Sequence, residues 1–398
     1  MDRSEPEQDR SDLMIPYGRQ QITEDDIDAV RAVLLSDFLT QGPVGPRFEA
    51  AVAARTGTEH AIAATSATAA LHLACAAIGL GPGDVLWTQP TTFVASANAA
   101  LYCGAEVDFV DIDSRRLTMC PERLAEKLVE AERAGRLPKV VMPVHMCGQS
   151  ADMDAIGALK RRYGFHIVED ASHAIGGQYR GRPVGAFPET DVTVFSFHPV
   201  KIVTTGEGGM AVTRDADLAS RMELLRSHGI TRDPGLMEGV PDGPWAYEQI
   251  ALGWNYRMTE IQAALGLSQL KRLDEYVARR NALADRYDAL LDDLHVTLPW
   301  RDPDALSACH LYPVELWDSS LRRDVFKAMR DGGIGVNVHY IPVHLQPWYR
   351  RMGFAPGNFP AAEAYYAGAI TLPLWPGLSD ADQDRVVAVL GDALSDAR

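Results

Sequence analysis

The stretch that decides the fold reads Phe195-Ser196-Phe197-His198-Pro199-Val200-Lys201-Ile202-Val203-Thr204-Thr205-Gly206-Glu207-Gly208-Gly209. It holds a single lysine, Lys201, in a mostly apolar setting, followed by threonines and glycines. Apolar surroundings disfavour the charged amine, so this lysine can be nucleophilic near neutral pH, and the glycines let a backbone approach a ligand. A lysine that forms a Schiff base with a bound ligand fits both features. A surface turn with a solvated lysine stays an alternative, whereas a P-loop would place its lysine after the glycines.

Length and composition set the broad class. At 398 residues the chain is long enough for two domains, and 46% hydrophobic with 23% charged residues is typical of globular proteins. The net charge of −16 argues against nucleic-acid and membrane partners, although a local site can still bind a small anion. The N-terminus lacks the apolar segment of a secretory signal, and the five cysteines are scattered without a C-x-x-C pair. We therefore expect a cytoplasmic protein with reduced thiols.

On the N-terminal side of Lys201, short apolar segments alternate with helical patterns. The predicted strands are 61–64, 85–88, 106–110, 139–144 and 166–168, separated by predicted helices at 66–78, 93–101, 121–134 and 153–163. Such alternation indicates an α/β fold with a mainly parallel sheet and helices on both faces.

The pattern also predicts how the chain is divided. Residues 1–12 are expected to be a disordered tail, 13–265 a large α/β domain, and 266–398 a smaller α+β domain. We expect one long helix over 258–294 to bridge the domains. The smaller domain would then include apolar segments at 311–316 and 336–340 and a C-terminal helix from Ser379.

Ligands of parallel sheets bind at the carboxyl ends of strands, and candidate residues follow several predicted strands. The helix that begins in 65–68 offers N–H groups and hydroxyls to a phosphate. Phe93 could stack on an aromatic ring, and Asp170 could pair with a protonated pyridine nitrogen. Taken singly, each has a common structural role as a helix cap or core residue. Together with Lys201 they describe one ligand, pyridoxal 5′-phosphate (PLP).

Longer motifs carry a family resemblance over nearly the whole chain from Ile15. The motifs are Tyr17-Gly18-Arg19-Gln20, Thr40-Gln41-Gly42-Pro43, Ser66-Ala67-Thr68-Ala69-Ala70-Leu71, Glu169-Asp170-Ala171-Ser172-His173 and Leu252-Gly253-Trp254-Asn255-Tyr256-Arg257-Met258-Thr259-Glu260. The chain thus resembles the DegT/DnrJ/EryC1/StrS family of PLP-dependent nucleotide-sugar aminotransferases. Two segments are most similar to the pseudaminic acid branch of this family: the stretch around Lys201, and the stretch His339-Tyr340-Ile341-Pro342-Val343-His344-Leu345-Gln346-Pro347.

The resemblance implies the fold type I (aspartate aminotransferase-like) architecture, PLP as cofactor, and a homodimer whose subunits share active sites. Carried over by position, Lys201 would be the Schiff-base lysine, Asp170 the partner of the ring nitrogen, and His173 a neighbour of the phenolic oxygen. The remaining implied cofactor contacts are Phe93 for stacking, Ser66, Ala67, Thr68 and Ser196 for the phosphate, and Asn255 reaching the phosphate from the other subunit.

The reaction implied is transfer of an amino group from L-glutamate to C4 of a UDP-linked 4-keto-6-deoxy-N-acetyl sugar. In it the freed Lys201 amine removes the α-proton of the donor. A GDP-linked perosamine precursor, a 3-keto sugar, glutamine as donor, and a non-catalytic PLP-binding regulator stay open. Family members that act as dehydratases carry histidine at the lysine position, so Lys201 disfavours that reaction.

Contacts to the sugar-nucleotide substrate are expected from Tyr17, Arg257, His339 and His344. The spacing of the two histidines, with Pro342 between them, does not suit a zinc site, and we expect no metal.

Overall fold

The computed structural model describes residues 14–397, so the predicted tail at 1–12 lies outside the described residues. The helices are α1 (Glu24–Leu34), α2 (Val44–Thr56), α3 (Ala67–Ile78), α4 (Val94–Tyr102), α5 (Pro121–Arg133), α6 (Met153–Tyr163), α7 (Ala216–Arg226), α8 (Glu260–Leu270), α9 (Leu273–Leu291), α10 (Arg322–Asp331), α11 (Pro347–Arg350), α12 (Pro360–Gly368) and α13 (Asp380–Asp396). Capping boxes at Thr23, Thr259 and Ser379 fix where three of them begin. Within the described range no helix is both long and apolar enough to cross a bilayer.

The strands are short. They are β1 (His60–Ala64), β2 (Val85–Thr88), β3 (Glu106–Phe109), β4 (Val140–Met142), β5 (His166–Asp170), β6 (Gln178–Tyr179), β7 (Arg182–Pro183), β8 (Val192–Ser196), β9 (Gly209–Thr213), β10 (Ile230–Thr231), β11 (Glu248–Gln249), β12 (Val296–Thr297), β13 (Ala305–Leu306), β14 (Tyr312–Leu316) and β15 (Ala369–Leu372).

Seven of these strands form the central sheet, in the order β1-β9-β8-β5-β4-β2-β3. Strand β9 runs antiparallel to both neighbours, and the other pairs are parallel, so six strands point the same way. Alternate residues of β4 face opposite cores: Val140 and Met142 pack with the alanine-rich helix α3, whereas Val141 packs with α5 and α6. Helices therefore cover both faces, and the predicted α/β fold with a mainly parallel sheet is confirmed.

A second core forms around the three-stranded antiparallel sheet β12-β14-β15. Helices α9, α10 and α13 supply its apolar side chains, and Ile15 near the N-terminus joins it through backbone hydrogen bonds with Gly333 and Gly335. The predicted division at residue 265 stays a prediction. That position lies within α8, which packs on α1 and α2.

One local prediction for this part of the chain was wrong. The single helix expected over 258–294 is two helices, α8 and α9, because Arg272 between them leaves helical geometry and pairs with the buried Asp26 at 2.6 Å. In the expected apolar segment 336–340, Val336 packs in the second core and Asn337 bridges to Thr371 of β15. Residues 337–340 line the pocket.

Candidate active site

The pocket lies where the carboxyl ends of β1, β5 and β8 meet at one edge of the central sheet. Its volume is about 650 Å³. Loops that follow the three strands build one wall, and segments packed on the second core build the other. The structure brings together most of the predicted site residues in its lining: Tyr17, Ser66, Ala67, Thr68, Phe93, Asp170, His173, Ser196, Lys201 and His339.

Lys201 lies in the loop from β8 to β9. The ends of this loop are tied together because Phe197 donates its N–H to Gly208 and accepts the N–H of Thr205 at its carbonyl, each at 2.9 Å. The loop buries its apolar residues and leaves Lys201 at the pocket. Burial lowers the pKa of Lys201 to about 8, while the nearby carboxylate of Asp170 acts in the opposite direction. The amine is therefore about half neutral near pH 8, where an unperturbed lysine would be almost wholly protonated.

The glycines after Lys201 serve the chain's own packing as well as access for a ligand. A Cβ atom on Gly209 would lie 2.4 Å from the backbone nitrogen of Ala67, so only glycine lets β9 approach the start of α3. Gly206 has a φ of +80°, which glycine adopts without strain. The sequence interpretation assigned these glycines to ligand approach and missed this helix–strand contact.

Asp170, the last residue of β5, is buried and held as a hydrogen-bond acceptor. Its Oδ2 accepts from the hydroxyl of Ser96 at 2.6 Å, and its Oδ1 accepts from the N–H of Ser172 at 3.1 Å. The Ser96 oxygen in turn lies 2.8 Å from the Thr92 hydroxyl. Since both oxygens receive donors, the carboxylate is held in one orientation at the pocket, where it can pair with a protonated ring nitrogen.

His173 is buried beside Lys201 in a defined tautomer. Its Nδ1 accepts the N–H of Cys147 at 3.3 Å, so in the neutral ring Nε2 carries the hydrogen and donates to the Tyr340 hydroxyl at 3.1 Å. Burial, and secondly the charge of Lys201, lower the pKa of His173 well below its usual range. The imidazole therefore acts as a neutral hydrogen-bonding group.

The start of α3 faces the pocket next to Ser196. Ser66 caps the helix, because its Oγ accepts the N–H of Ala69 at 3.1 Å. The N–H groups of Ala67 and Thr68 precede the first intrahelical bond and are free to donate to an anion. A phosphate here, an aromatic ring against Phe93 and a ring nitrogen at Asp170 are the contacts that PLP requires, so the donor set of this pocket fits PLP.

Three aromatic residues surround the pocket opening. Phe93 is 58% exposed, so it is not part of the hydrophobic core, and its ring face is open to the pocket. Across the pocket, Tyr17 packs against His339 with ring centroids 5.4 Å apart. His339 Nδ1 lies 2.9 Å from the Thr371 hydroxyl, and burial lowers the pKa of His339 to about 3.

Three predicted site residues lie outside this lining. Asn255 is exposed on the chain after β11, and Arg257 donates to the Ser227 hydroxyl at 3.0 Å, so neither lines the pocket. His344, the third of them, does not line the pocket: its side chain is fully buried and its Nε2 lies 2.9 Å from Oε1 of Glu363. The histidine instead fixes the segment that follows Tyr340.

Sequence reasoning missed Ser96, which holds Asp170 from behind the pocket, and two residues of the pocket lining. Ser96 lies four residues after Thr92 at a helix start, a spacing that could have indicated a hydroxyl pair near Asp170. His310, whose Nε2 is 3.4 Å from the Lys201 amine, and Asn337 belong to irregular segments. No periodic signal marks such segments, so these two could not have been found by pattern.

Comparisons with known proteins agree with this geometry. The profile of the DegT/DnrJ/EryC1/StrS aminotransferase family matches residues 20–391. Spore coat polysaccharide biosynthesis protein SpsC of Bacillus subtilis is 38% identical over 389 residues, covering 96% of this chain and 98% of that protein. UDP-4-amino-4,6-dideoxy-N-acetyl-β-L-altrosamine transaminase of Campylobacter jejuni is 36% identical over 366 residues, with 90% and 92% covered. The solved PLP form of the putative sugar aminotransferase Spr1654 from Streptococcus pneumoniae has a TM-score of 0.88 at 30% identity, covering 97% of this chain and 100% of that one.

Proposed function

Because the chain belongs to the DegT/DnrJ/EryC1/StrS aminotransferase family, we propose that it transfers an amino group from L-glutamate to C4 of a UDP-linked 4-keto-6-deoxy-N-acetyl sugar. Membership establishes the coarser facts: the protein is a PLP-dependent sugar aminotransferase with the fold type I architecture. The donor, the nucleotide and the carbon that receives the amine are the proposed parts. We place the enzyme in the cytoplasm, in a pathway of the pseudaminic acid type.

The observation that carries the proposal is the convergence of Lys201, Asp170 and the start of α3 on one pocket. In the proposed site, Lys201 would bond to the cofactor, Asp170 would face its ring nitrogen, and the N–H groups of Ala67 and Thr68 would hold its phosphate. When bound, PLP supplies an electron-accepting ring that stabilises the charge left by loss of the donor's α-proton. The Lys201 amine, once displaced by the donor, takes that proton and holds it at Nζ. Its lowered pKa supports this role, because the amine must be neutral to accept a proton.

The proposed substrate is supported by the Campylobacter jejuni relative, whose name specifies a UDP-linked 4-amino sugar. Tyr17 and His339 line the same pocket and remain our proposed contacts to the sugar. Since burial keeps His339 neutral, it would recognise a hydroxyl or carbonyl oxygen rather than a charged group.

A homodimer with shared sites is also proposed. Large apolar side chains are exposed at the end of α1 and on the segment around β11, including Leu35, Phe38, Trp245 and Leu252. Exposed apolar surface of this kind is typical of an interface between subunits. Asn255 is exposed and apart from the pocket of its own chain, which is consistent with a phosphate contact in the partner's site.

The absorbance spectrum of the purified protein, before and after L-glutamate, tests the cofactor linkage and the donor together. We expect a band near the visible edge that glutamate converts to a shorter-wavelength band, and that Lys201→Ala abolishes. The exposed Lys327→Ala serves as the matched control and should behave as wild type. Restoration of the first band by a UDP-linked 4-keto sugar would support the substrate. Restoration only by a GDP-linked or 3-keto sugar would refute it, and a response to glutamine alone would refute the donor.

Shared sites are tested by mixing two inactive variants, Lys201→Ala and Asn255→Ala, under conditions that exchange subunits. A mixed dimer would regain one intact site, so activity should recover to roughly a quarter of wild type when half of the dimers are mixed. No recovery in a mixture shown by mass analysis to contain mixed dimers would contradict the proposed role of Asn255.

A further inference from the structure

Arg280 in α9 is a buried guanidinium with unusual partners. Its residue is 1% exposed, and within residues 14–397 no carboxylate lies within ion-pair distance of it. Instead its Nη1 donates to the backbone carbonyls of Leu374 at 2.9 Å, His310 at 3.2 Å and Cys309 at 3.4 Å. The neighbouring Arg279, by contrast, points outward and pairs with Asp380 at 3.3 Å. Burying an unpaired charge is costly, so the position of Arg280 calls for an explanation beyond helix packing.

The residue held by Arg280 connects it to the reactive lysine. His310 is 4% exposed, its N–H donates to the carbonyl of Cys147 at 2.8 Å, and its Nε2 lies 3.4 Å from the Lys201 amine. Its Nδ1 has no hydrogen-bond partner among the described residues. Because the imidazole makes no hydrogen bond through Nδ1, its position depends on the His310 backbone. Arg280 donates directly to the carbonyl of that backbone.

We propose that Arg280 is the positioning residue of Lys201: it holds the His310 backbone so that the imidazole contacts the lysine amine, and its positive charge opposes that of a protonated lysine. The inference rests on the proposed function, in which Lys201 is the reactive amine. It assigns two further residues to that function: His310, which contacts the amine, and Arg280, which contacts the His310 backbone.

The charges that surround Lys201 agree with this assignment. The titratable groups that interact with the amine are Asp170, Cys147, His173, His198, His310, His339 and Arg280. Burial lowers the pKa of all four histidines, and burial likewise keeps the Cys147 thiol protonated by raising its pKa. Asp170 stabilises the ammonium form of Lys201, whereas Arg280 destabilises it. Burial and Arg280 both lower the pKa of Lys201, so loss of the guanidinium should remove one of these two effects. The lysine should then hold its proton to higher pH.

The test measures how fast a limiting pulse of acetic anhydride modifies Lys201 in cofactor-free protein across a pH series, read by peptide mass spectrometry. Because no cofactor is present, this readout stands even if the spectrum refutes PLP linkage. We expect Arg280→Met to move the midpoint of Lys201 reactivity to higher pH by on the order of one unit. Arg280→Lys, which keeps the charge, and Arg279→Met should leave it near the wild-type value. The exposed Lys327 is the internal standard, and its midpoint should not move in any variant.

His310 provides an independent test if Arg280→Met does not fold. His310→Phe removes the acceptor from a protonated lysine and should lower the midpoint, whereas His310→Gln, whose side-chain oxygen can accept, should restore it. Because Arg280→Met also releases the His310 backbone, which alone would lower the midpoint, the charge is tested by comparing Arg280→Met/His310→Phe with His310→Phe. A folded double variant whose midpoint does not lie above that of His310→Phe would overturn the proposal. So would an unchanged midpoint in His310→Phe.

Discussion

Ser96→Ala is the sharpest single change that the structure suggests. It removes the hydroxyl that donates to Asp170 Oδ2 at 2.6 Å and leaves the N–H of Ser172 as the remaining donor to that carboxylate. A hydrogen bond to a charged group is worth about 1.5–3 kcal/mol, which corresponds to roughly a tenfold to hundredfold change in an equilibrium constant. Without this donor the carboxylate keeps only the backbone N–H of Ser172, so it is held less firmly in the orientation that would face the ring nitrogen. The ring then accepts electrons less well, and we expect the glutamate half-reaction to slow at least about tenfold.

The assay is the single-turnover rate of the spectral change that L-glutamate produces, with thermal unfolding as the check on folding. Two further variants give a graded series. Thr92→Val removes only the hydroxyl behind Ser96, at 2.8 Å from it, and should slow the reaction less than Ser96→Ala. Asp170→Asn removes the charge itself and should slow it more. A folded Ser96→Ala protein with the wild-type rate, or a Thr92→Val protein as slow as Ser96→Ala, would refute the reasoning.

Three other predictions concern the same pocket. The pKa of Lys201 is 10.5 in the unfolded chain and about 8 in the folded chain. Between these two pH values the unfolded state therefore binds more protons. The free energy of unfolding of cofactor-free protein, relative to Lys201→Gln, should therefore rise with pH across that window in denaturant titrations. Gly209→Ala places a Cβ 2.4 Å from the nitrogen of Ala67 and should cost about 1–3 kcal/mol in the same titrations, whereas Gly81→Ala, in open space, should cost less. Phe93→Ala should leave the unfolding temperature of cofactor-free protein unchanged because Phe93 is exposed, but should weaken PLP binding in a fluorescence titration up to about tenfold.

The sequence predicted the sheet and the wall of the pocket that the sheet provides. Parallel strands appear as short apolar runs separated by helical patterns, and their carboxyl ends must meet at one edge, so Asp170 and Lys201 could be brought together without coordinates. The joint pattern then predicted a ligand that no single motif predicts. Pattern could not place residues whose surroundings depend on distant segments. His344 resembles a loop ligand in sequence, but its ring is buried against Glu363, nineteen residues further on.

Helix continuity failed for a related physical reason. The residues from 258 to 294 carry a nearly unbroken helical pattern, and nothing local in them requires a break. The break at Arg272 is imposed by Asp26, a buried carboxylate 246 residues earlier that accepts from Arg272 and from Gln269, each at 2.6 Å. A tertiary ion pair thus overrides local helix propensity, which is a weak preference.

The two walls of the pocket divide the work of the proposed reaction. Every proposed PLP contact from within the subunit follows a strand of the central sheet, where backbone geometry fixes Asp170 and the start of α3. Tyr17, Asn337 and His339 face the same space from segments that pack on the second core. Substitutions on this second wall should therefore change which keto sugar is aminated while the glutamate half-reaction, which depends on the first wall, keeps its rate. His310 is the exception, because it lies on the second wall yet touches Lys201. Its backbone carbonyl accepts a hydrogen bond from Arg280 of α9. The packing of the second core therefore affects where His310 lies beside the reactive amine.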